Sequence, residues 1–143
     1  MTYRPDSKDR KILYLLGKLG VELKEPTIHR IVYSLQKKGA RFDFEFTVKK
    51  EEKKTVFSGE LSERLIRLAN NGYLKQFIIV DPAYQSLYIY VYKISEKGAG
   101  VIGKPRVSAK DIKIIDEAVK RIHGFIKKEK AKQALRKEVA FLG

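Results

Sequence analysis

The sequence predicts an α+β fold, because the spacing of its apolar residues changes twice along the chain. Apolar residues recur at helical spacing over residues 8–38, alternate with polar residues over 42–48, and return to helical spacing over 59–71. Two β-rich segments, 77–80 and 87–94, then follow. The chain has 143 residues, 43% of them hydrophobic, which is enough for one domain with its own core and an appended element.

Two helices are predicted near the N-terminus. The first covers about residues 8–19 and ends at Gly20, since glycine readily adopts the left-handed conformation that follows a helix. The second begins at Pro26, because proline fits the first turn of a helix, and it ends at Gly39. The connection is short, so the two helices should pack against each other. His29 is expected on the outward face of the second helix.

A strand, a third helix and a hairpin are predicted next. Strict alternation over 42–48 is typical of a half-buried strand, and a charged turn leads from it into a second short strand over 55–57. Ser58 is suited to cap a third helix over 59–71, whose leucines face the core. The loop 81–86 has turn chemistry, so the β-rich segments on either side of it are expected to form a hairpin.

The order helix, helix, strand, helix, hairpin is close to that of a winged helix-turn-helix domain. In that fold one helix presents side chains to the DNA major groove, and the hairpin contacts the backbone or the minor groove. We therefore predict a winged helix-turn-helix domain over residues 1–95, a Gly/Pro linker over 96–107 and a basic, amphipathic C-terminal helix over 108–143.

Several short motifs support the same fold. They lie in residues 11–16, 31–36, 57–61 and 68–74, and in Gly39 with Phe42, Phe44 and Phe46. On these motifs, residues 9–80 resemble the archaeal and bacterial winged-helix proteins of the YwgA-like type. Of the aromatic-Gly-Pro-aromatic-Ser motif usual in that family, the chain keeps Phe57 and Ser58. The resemblance implies a winged-helix fold and DNA binding.

Positive charge dominates the composition and indicates an acidic partner. The chain has 31 Lys and Arg residues against 17 Asp and Glu, a formal net charge of +14. Residues 104–143 hold 12 of those cations against 5 carboxylates, so the charge is densest in the predicted C-terminal helix. Such an excess is frequent among proteins that bind nucleic acids.

Three predicted surfaces would contact double-stranded DNA, the partner that the charge and fold favour. The third helix would offer Arg64, Arg67 and Asn71 to base edges or phosphates, since a guanidinium group binds guanine in a bidentate manner. The hairpin loop would offer Tyr84 and Gln85. The C-terminal helix would hold phosphates with Lys113, Lys120, Lys127 and Lys128. The predicted function is a non-enzymatic transcriptional regulator or chromatin component.

The C-terminal helix also has an apolar seam with 3-4-3-4 spacing. The seam consists of Ile112, Ile115, Val119, Ile122 and Ile126. It would pack either on the chain's own domain or against a second copy. We favour a homodimer, because an apolar surface far from the core must be covered. Gly124 and a phase slip after Ile126 allow a kink in the helix.

Nothing in the sequence predicts an active site, a metal or a cofactor. The chain has no cysteine and two histidines, which is a poor set of metal ligands. Residues 98–103 match the GxGxxG fingerprint of dinucleotide-binding folds. That fingerprint requires a strand before it and a helix directly after it, whereas here Pro105 intervenes and no strand follows the helix. We interpret these glycines as a flexible hinge.

Two other functions stay open from the sequence. The winged helix would also suit a protein-interaction adaptor that dimerises through its C-terminal helix. In an RNA-binding role, Phe42, Phe44 and Phe46 would stack on bases, although their position on one strand face suits a core better.

Composition also indicates the cellular setting. No apolar stretch approaches the roughly 20 residues that span a bilayer, and the N-terminus lacks the apolar run of a signal peptide. We therefore expect a cytoplasmic protein with no membrane contact and no small-molecule substrate. Abundant Lys, Glu and Ile with one Met and no cysteine would suit a thermophile. The resemblance to the YwgA-like proteins would suit an archaeal source.

Overall fold

Helices and short strands alternate along the chain, so the predicted α+β class is confirmed. The computed structural model describes residues 3–50, 55–80, 88–102 and 107–142, with side chains in the last helix described as far as residue 128. The helices in these residues are α1 (Ser7–Leu19), α2 (Glu25–Lys37), α3 (Gly59–Asn70), α4 (Glu96–Ile102) and α5 (Ala109–Leu142). The strands are β1 (Leu23–Lys24), β2 (Thr47–Lys49), β3 (Thr55–Phe57), β4 (Leu74–Val80) and β5 (Tyr88–Ile94).

The strands form two small antiparallel sheets. The larger sheet has the strand order β1-β5-β4, and the smaller one pairs β2 with β3. β4 and β5 form the predicted hairpin, paired from Leu74 opposite Ile94 to Val80 opposite Tyr88. β1 is only 2 residues long and pairs with β5. Among the described strands, β4 is therefore an edge strand along its whole length.

α1 is the central element of the core. Every residue from Ile12 to Leu16 is buried, and α1 packs against α4, α5 and β5. Its start is fixed by a capping box, in which the side chains of Asp6 and Asp9 each accept the other residue's backbone N–H. Its end is fixed by Gly20, whose φ of 64° favours glycine. The predicted first helix is thus confirmed to within one residue.

The segment with alternating phenylalanines, 42–46, is buried on the predicted face but is not a strand. Phe42 and Phe44 lie in the core, and Asp43 between them has a left-handed backbone with φ of 55°. The Gln36 side chain takes the place of a partner strand: its amide donates to the Phe44 carbonyl at 3.0 Å and accepts the Phe44 N–H at 2.8 Å. The prediction of one strand over this segment is wrong, and pairing begins only at β2.

The predicted linker contains a helix, α4, that packs on the core. Gly98 in this helix is buried so closely against the backbone of Tyr73 that a Cβ atom would overlap the Tyr73 carbonyl. The Ser95 hydroxyl accepts the Gly98 N–H at 3.1 Å, and Ile102 packs on the core. The hinge interpretation is therefore wrong for α4, because its glycine permits close packing rather than bending. Residues 103–106 lie outside the described residues.

Replacing Gly98 with Ala is expected to destabilise the protein by about 2 kcal/mol, because the methyl group meets backbone that has no room to move. Gly100 is the matched control, since a Cβ atom there has no neighbour within 4 Å. Gly100→Ala should stabilise the protein by about 0.5–1 kcal/mol through better helix propensity. Urea unfolding of both variants checks the pair. Equal effects would contradict the packing explanation.

α5 is a 34-residue helix that continues through Gly124 without a break. A helix of this number of residues is about 51 Å long. Its first turn is anchored to α1 and to the loop after α2: Asp111 accepts the Arg41 N–H at 3.0 Å and lies 3.4 Å from the Lys11 ammonium. Further along, the Tyr14 hydroxyl donates to Asp116 at 2.7 Å. Burial and this carboxylate raise the pKa of Tyr14 to about 12.

The apolar seam of α5 is used within the chain. Ile115 and Val119 are buried in the common core, and Ile112 and Ile122 are partly buried against it. The prediction that these residues form a dimer seam is wrong for Ile115 and Val119, because α1 and α2 already cover them. Ile126 is half-buried and lies outside the core cluster.

Candidate nucleic-acid interface

Arg64 of α3, predicted to contact DNA, is instead bound by carboxylates of α1. Its Nη1 atom donates to both carboxylate oxygens of Asp6, at 2.6 and 2.7 Å, and to Asp9 at 3.0 Å. Its Nη2 atom lies 3.2 Å from Glu60. The Arg64 side chain is 15% exposed and that of Asp9 is 0% exposed. Arg64 is thus paired within the fold, and its role in reading bases stays a prediction.

The ion pairs shift the pKa values of Asp6 and Arg64 so that both side chains stay charged. Burial raises the pKa of Asp6, but hydrogen bonds from Arg64 and from the Asp9 backbone outweigh burial and hold that pKa below its usual value. The two aspartates raise the pKa of Arg64 even though burial lowers it. If the Arg64 side chain left Asp9 in order to contact DNA, the buried Asp9 carboxylate would lose its cation, which costs several kcal/mol.

Arg67 and Asn71 lie at the other end of α3 and differ in availability. Arg67 is exposed, with its guanidinium carbon 5.9 Å from the centre of the Tyr3 ring. Asn71 directly follows the helix. Its side-chain amide donates to the Arg67 carbonyl at 2.8 Å, and its backbone carbonyl accepts a hydrogen bond from the Lys97 ammonium at 2.9 Å. Of the two arginines predicted to contact DNA from α3, Arg67 is thus the one whose charge faces solvent.

The hairpin presents an apolar surface in its described part. Tyr84 and Gln85, the predicted loop contacts, lie outside the described residues. Beside that loop, Ile78, Val80 and Tyr88 are all exposed, and the Tyr88 side chain is 70% exposed. No charged residue occurs from position 76 to position 80 or from 88 to 92. The strands next to the loop therefore suit apolar contacts better than phosphate contacts.

The lysines predicted on α5 are all exposed and lie on its outer side. Lys113, Lys120 and Lys127 follow one another at seven-residue intervals, about 10.5 Å apart along the helix. With three further cations these lysines form a surface that we call the α5 basic row. It consists of Lys110, Lys113, Lys120, Arg121, Lys127 and Lys128. Within the described part of the chain, none of them has a carboxylate within 4 Å.

Two lysines of α1, one turn apart, contact α3 and the first turn of α5. The Lys8 ammonium donates to Glu60 of α3 at 3.0 Å and to the Asp43 carbonyl at 2.8 Å. Lys11, one turn later, contacts the Arg41 carbonyl and Asp111 of α5. Among the described residues, no ion pair joins the predicted contact residues of α3 to those of α5.

His29 is a buried residue that the sequence analysis placed outside. It is 1% exposed, its Nδ1 atom accepts the Ser58 N–H at 3.1 Å, and its ring stacks on Phe57 at 5.1 Å between centroids. Ser58 caps α3, so His29 ties the start of α3 to α2. Its position next to Ile28 on the α2 stripe was the signal in the sequence that favoured burial.

Glu25 completes this contact between α2 and α3. Its carboxylate accepts a hydrogen bond from Ser62 at 2.6 Å and lies 3.7 Å from His29 Nε2. His29 lowers the pKa of Glu25 by more than burial raises it, and Ser62 lowers it further. The cluster fixes the angle between α2 and α3. In the described residues, no group of three or more His, Asp or Glu side chains has the arrangement of a metal site.

Comparisons with known proteins place the chain in no family. No protein-family model, no curated protein and no solved structure matches it. The YwgA-like resemblance therefore stays a prediction. In the described part of the chain, no helix has both the length and the apolar content needed to cross a bilayer.

Proposed function

We propose that the protein is a winged-helix protein that binds double-stranded DNA and has no enzymatic activity. The order α1-β1-α2-α3-β4-β5, with β1 adding to the outer side of the hairpin strand β5, supports the winged-helix assignment. The pair β2–β3 is then an insertion between α2 and α3. The positive charge of the chain supports a polyanionic partner.

The observation that carries the proposal is the α5 basic row. The row consists of six exposed cations on one helix. In the described residues none of them has a carboxylate within 4 Å, and the structure shows no role for them in the fold. Glu117 is the acidic residue on the same outer side. Each lysine that meets a phosphate releases condensed counterions, so the row would supply most of the affinity.

The exposed side of α3 supports weak rather than strict sequence preference. It carries Arg67 together with Glu63, an exposed carboxylate that would repel phosphates. Arg64 is held by α1 and is not available to a base. We therefore place the protein with architectural DNA-binding proteins rather than with regulators that recognise one operator.

Fluorescence anisotropy with a labelled duplex across a salt series tests the proposal. If six to ten phosphates are engaged, affinity should fall by about 10³–10⁵ between 50 and 200 mM salt. Two duplexes of unrelated sequence should bind within a few-fold of each other, and single strands of DNA or RNA should bind less tightly. A flat salt response would exclude DNA, and preference for single-stranded RNA would favour the RNA-binding alternative.

A second function, self-association as an interaction module, is favoured by the β4–β5 hairpin. β4 is an edge strand, and its residues Phe77, Ile78 and Val80 are exposed. Exposed, uncharged edges pair readily with another strand. The occupant would be a second copy, since two β4 edges related by a two-fold axis can pair antiparallel.

Sedimentation of the protein over a concentration series distinguishes this function. A dimer that Ile78→Lys disrupts, while Phe125→Lys on exposed α5 leaves it intact, would support pairing through β4. A dimer disrupted only by Phe125→Lys would assign self-association to α5. A monomer at all concentrations would exclude it.

A further inference from the structure

α2 and α5 line an open groove that shares one cation, Arg121, with the α5 basic row. Its volume is about 360 Å³, near the lower end of the roughly 300–1,000 Å³ typical of small-molecule sites. The floor is apolar and consists of Ile31, Leu35, Ala118 and Ile122. The groove lies where α5 begins to leave the body of the protein, since residues 124–128 are exposed apart from a half-buried Ile126.

Three cations stand at the edge of this groove. Arg30 lies in α2, Lys38 directly follows that helix, and Arg121 lies in α5. In the described residues, none of the three has a carboxylate within 4 Å. Arg30 contacts the Thr27 hydroxyl at 3.5 Å, and Ser34 adds another hydroxyl between the cations. An apolar floor with an uncompensated positive edge is suited to a ligand with an anionic head and an apolar body.

The charges argue against other occupants. Residues 127–142 of a second copy carry six Lys and Arg against two Glu, so a helix of that segment would be repelled by the cations at the edge. A bare phosphate would pair with the cations but would leave the apolar floor exposed to water. The volume is too small for a folded partner and is sufficient for a single acyl chain or one aromatic ring.

We propose that the groove between α2 and α5 binds a small amphiphilic carboxylate, with its head between Arg30 and Arg121 and its apolar part on Ile31, Leu35 and Ile122. Head and floor act together: the guanidinium groups form charge-assisted hydrogen bonds, and the floor removes the apolar part from water. This inference does not depend on DNA binding, and its test contains no nucleic acid.

Calorimetric titration of the full chain with straight-chain carboxylates, below the concentrations at which they form micelles, tests the proposal. Affinity should rise by about fourfold per added methylene from hexanoate upward and stop rising once the groove is filled. Decanol, the neutral analogue, should bind at least about tenfold more weakly than decanoate. Equal binding of decanol and decanoate, or equal binding of inorganic phosphate and decanoate, would overturn the proposal.

Two variants locate the site. Arg121→Gln should weaken decanoate about tenfold, since Arg121 is exposed and its loss leaves the core intact. Lys49→Gln removes the same charge from β2 and should leave affinity unchanged. Ser34→Trp, on the exposed side of α2, should block the groove without removing charge. Equal losses in the first two variants, or full binding by Ser34→Trp, would show that the groove is not the site.

Discussion

Replacing Lys113, Lys120 and Lys127 together with Gln is expected to weaken duplex binding by about 10²–10³-fold at 0.1 M salt. Each neutralised phosphate contributes about 0.9 to the slope of log affinity against log salt, so the slope should fall by about 2.7. The probe is a duplex of about 25 base pairs, which is longer than the roughly 51 Å of α5. Because all three side chains are exposed, the free energy of unfolding should stay within about 0.5 kcal/mol.

A second triple variant separates the position of charge from its amount. Lys49, Lys50 and Lys75 are exposed and lie away from α5, so their joint replacement with Gln removes the same total charge. It should reduce the slope by much less than the α5 variant. If both variants weaken binding equally, net charge alone governs affinity, and α5 is not the phosphate-binding surface.

Replacing Arg64 with Met is expected to destabilise the protein by about 3 kcal/mol. The change removes the cation that pairs with Asp9, which is fully buried, and with Asp6 at the start of α1. Chemical unfolding monitored by circular dichroism measures the loss. The DNA affinity of the folded variant should stay within a few-fold of the parent, because the Arg64 guanidinium is already paired with Asp6, Asp9 and Glu60.

Arg67→Met is the matched control for that change. Arg67 lies one turn along α3 and is exposed over Tyr3, so its replacement should alter stability by less than about 1 kcal/mol. A mild effect of Arg64→Met with altered sequence preference would contradict the structural role and restore Arg64 as a base reader.

Acid pH should weaken the Arg64 cluster and also the Asp111 contact at the start of α5. The pKa of Asp6 lies below its usual 3.8 in the folded protein, and that of Asp111 is lowered as well by the Arg41 N–H against the effect of burial. Carboxylates whose pKa is lowered on folding stabilise the protein above about pH 5, and this stabilisation is lost as pH falls below about 4. Unfolding measured from pH 6 to pH 3 should therefore show falling stability, and the decline should be shallower for Arg64→Met.

The boundaries of most elements could be predicted because the signals for them are local. Gly20 and Ser58 mark helix ends through their own backbone and side-chain chemistry, and both positions are confirmed. The hairpin followed from two β-rich runs joined by a turn. The charge of α5 could also be predicted, because exposed lysines on a long helix need no partner to remain on its surface.

The errors arose where a contact distant in sequence replaced the expected local one. The alternation over 42–46 correctly assigned Phe42 and Phe44 to the core, but the Gln36 amide took the place of the expected strand partner. The glycine pattern near Gly98 suggested flexibility, but the Tyr73 backbone packs directly against Gly98. The α5 seam suggested a dimer because the sequence could not show that α1 and α2 cover Ile115.

The sequence by itself determined the α+β class, the order of α1, α2, α3 and the hairpin, and a basic C-terminal helix, since periodicity, capping and net charge are properties of residues and their near neighbours. Only the tertiary structure decided which cations are free to bind a partner. Arg64 and the α5 lysines have the same formal charge, but Arg64 meets carboxylates 58 and 55 positions away in the chain. Such pairings depend on how the helices pack, and a charge already neutralised inside the fold contributes little to binding outside it.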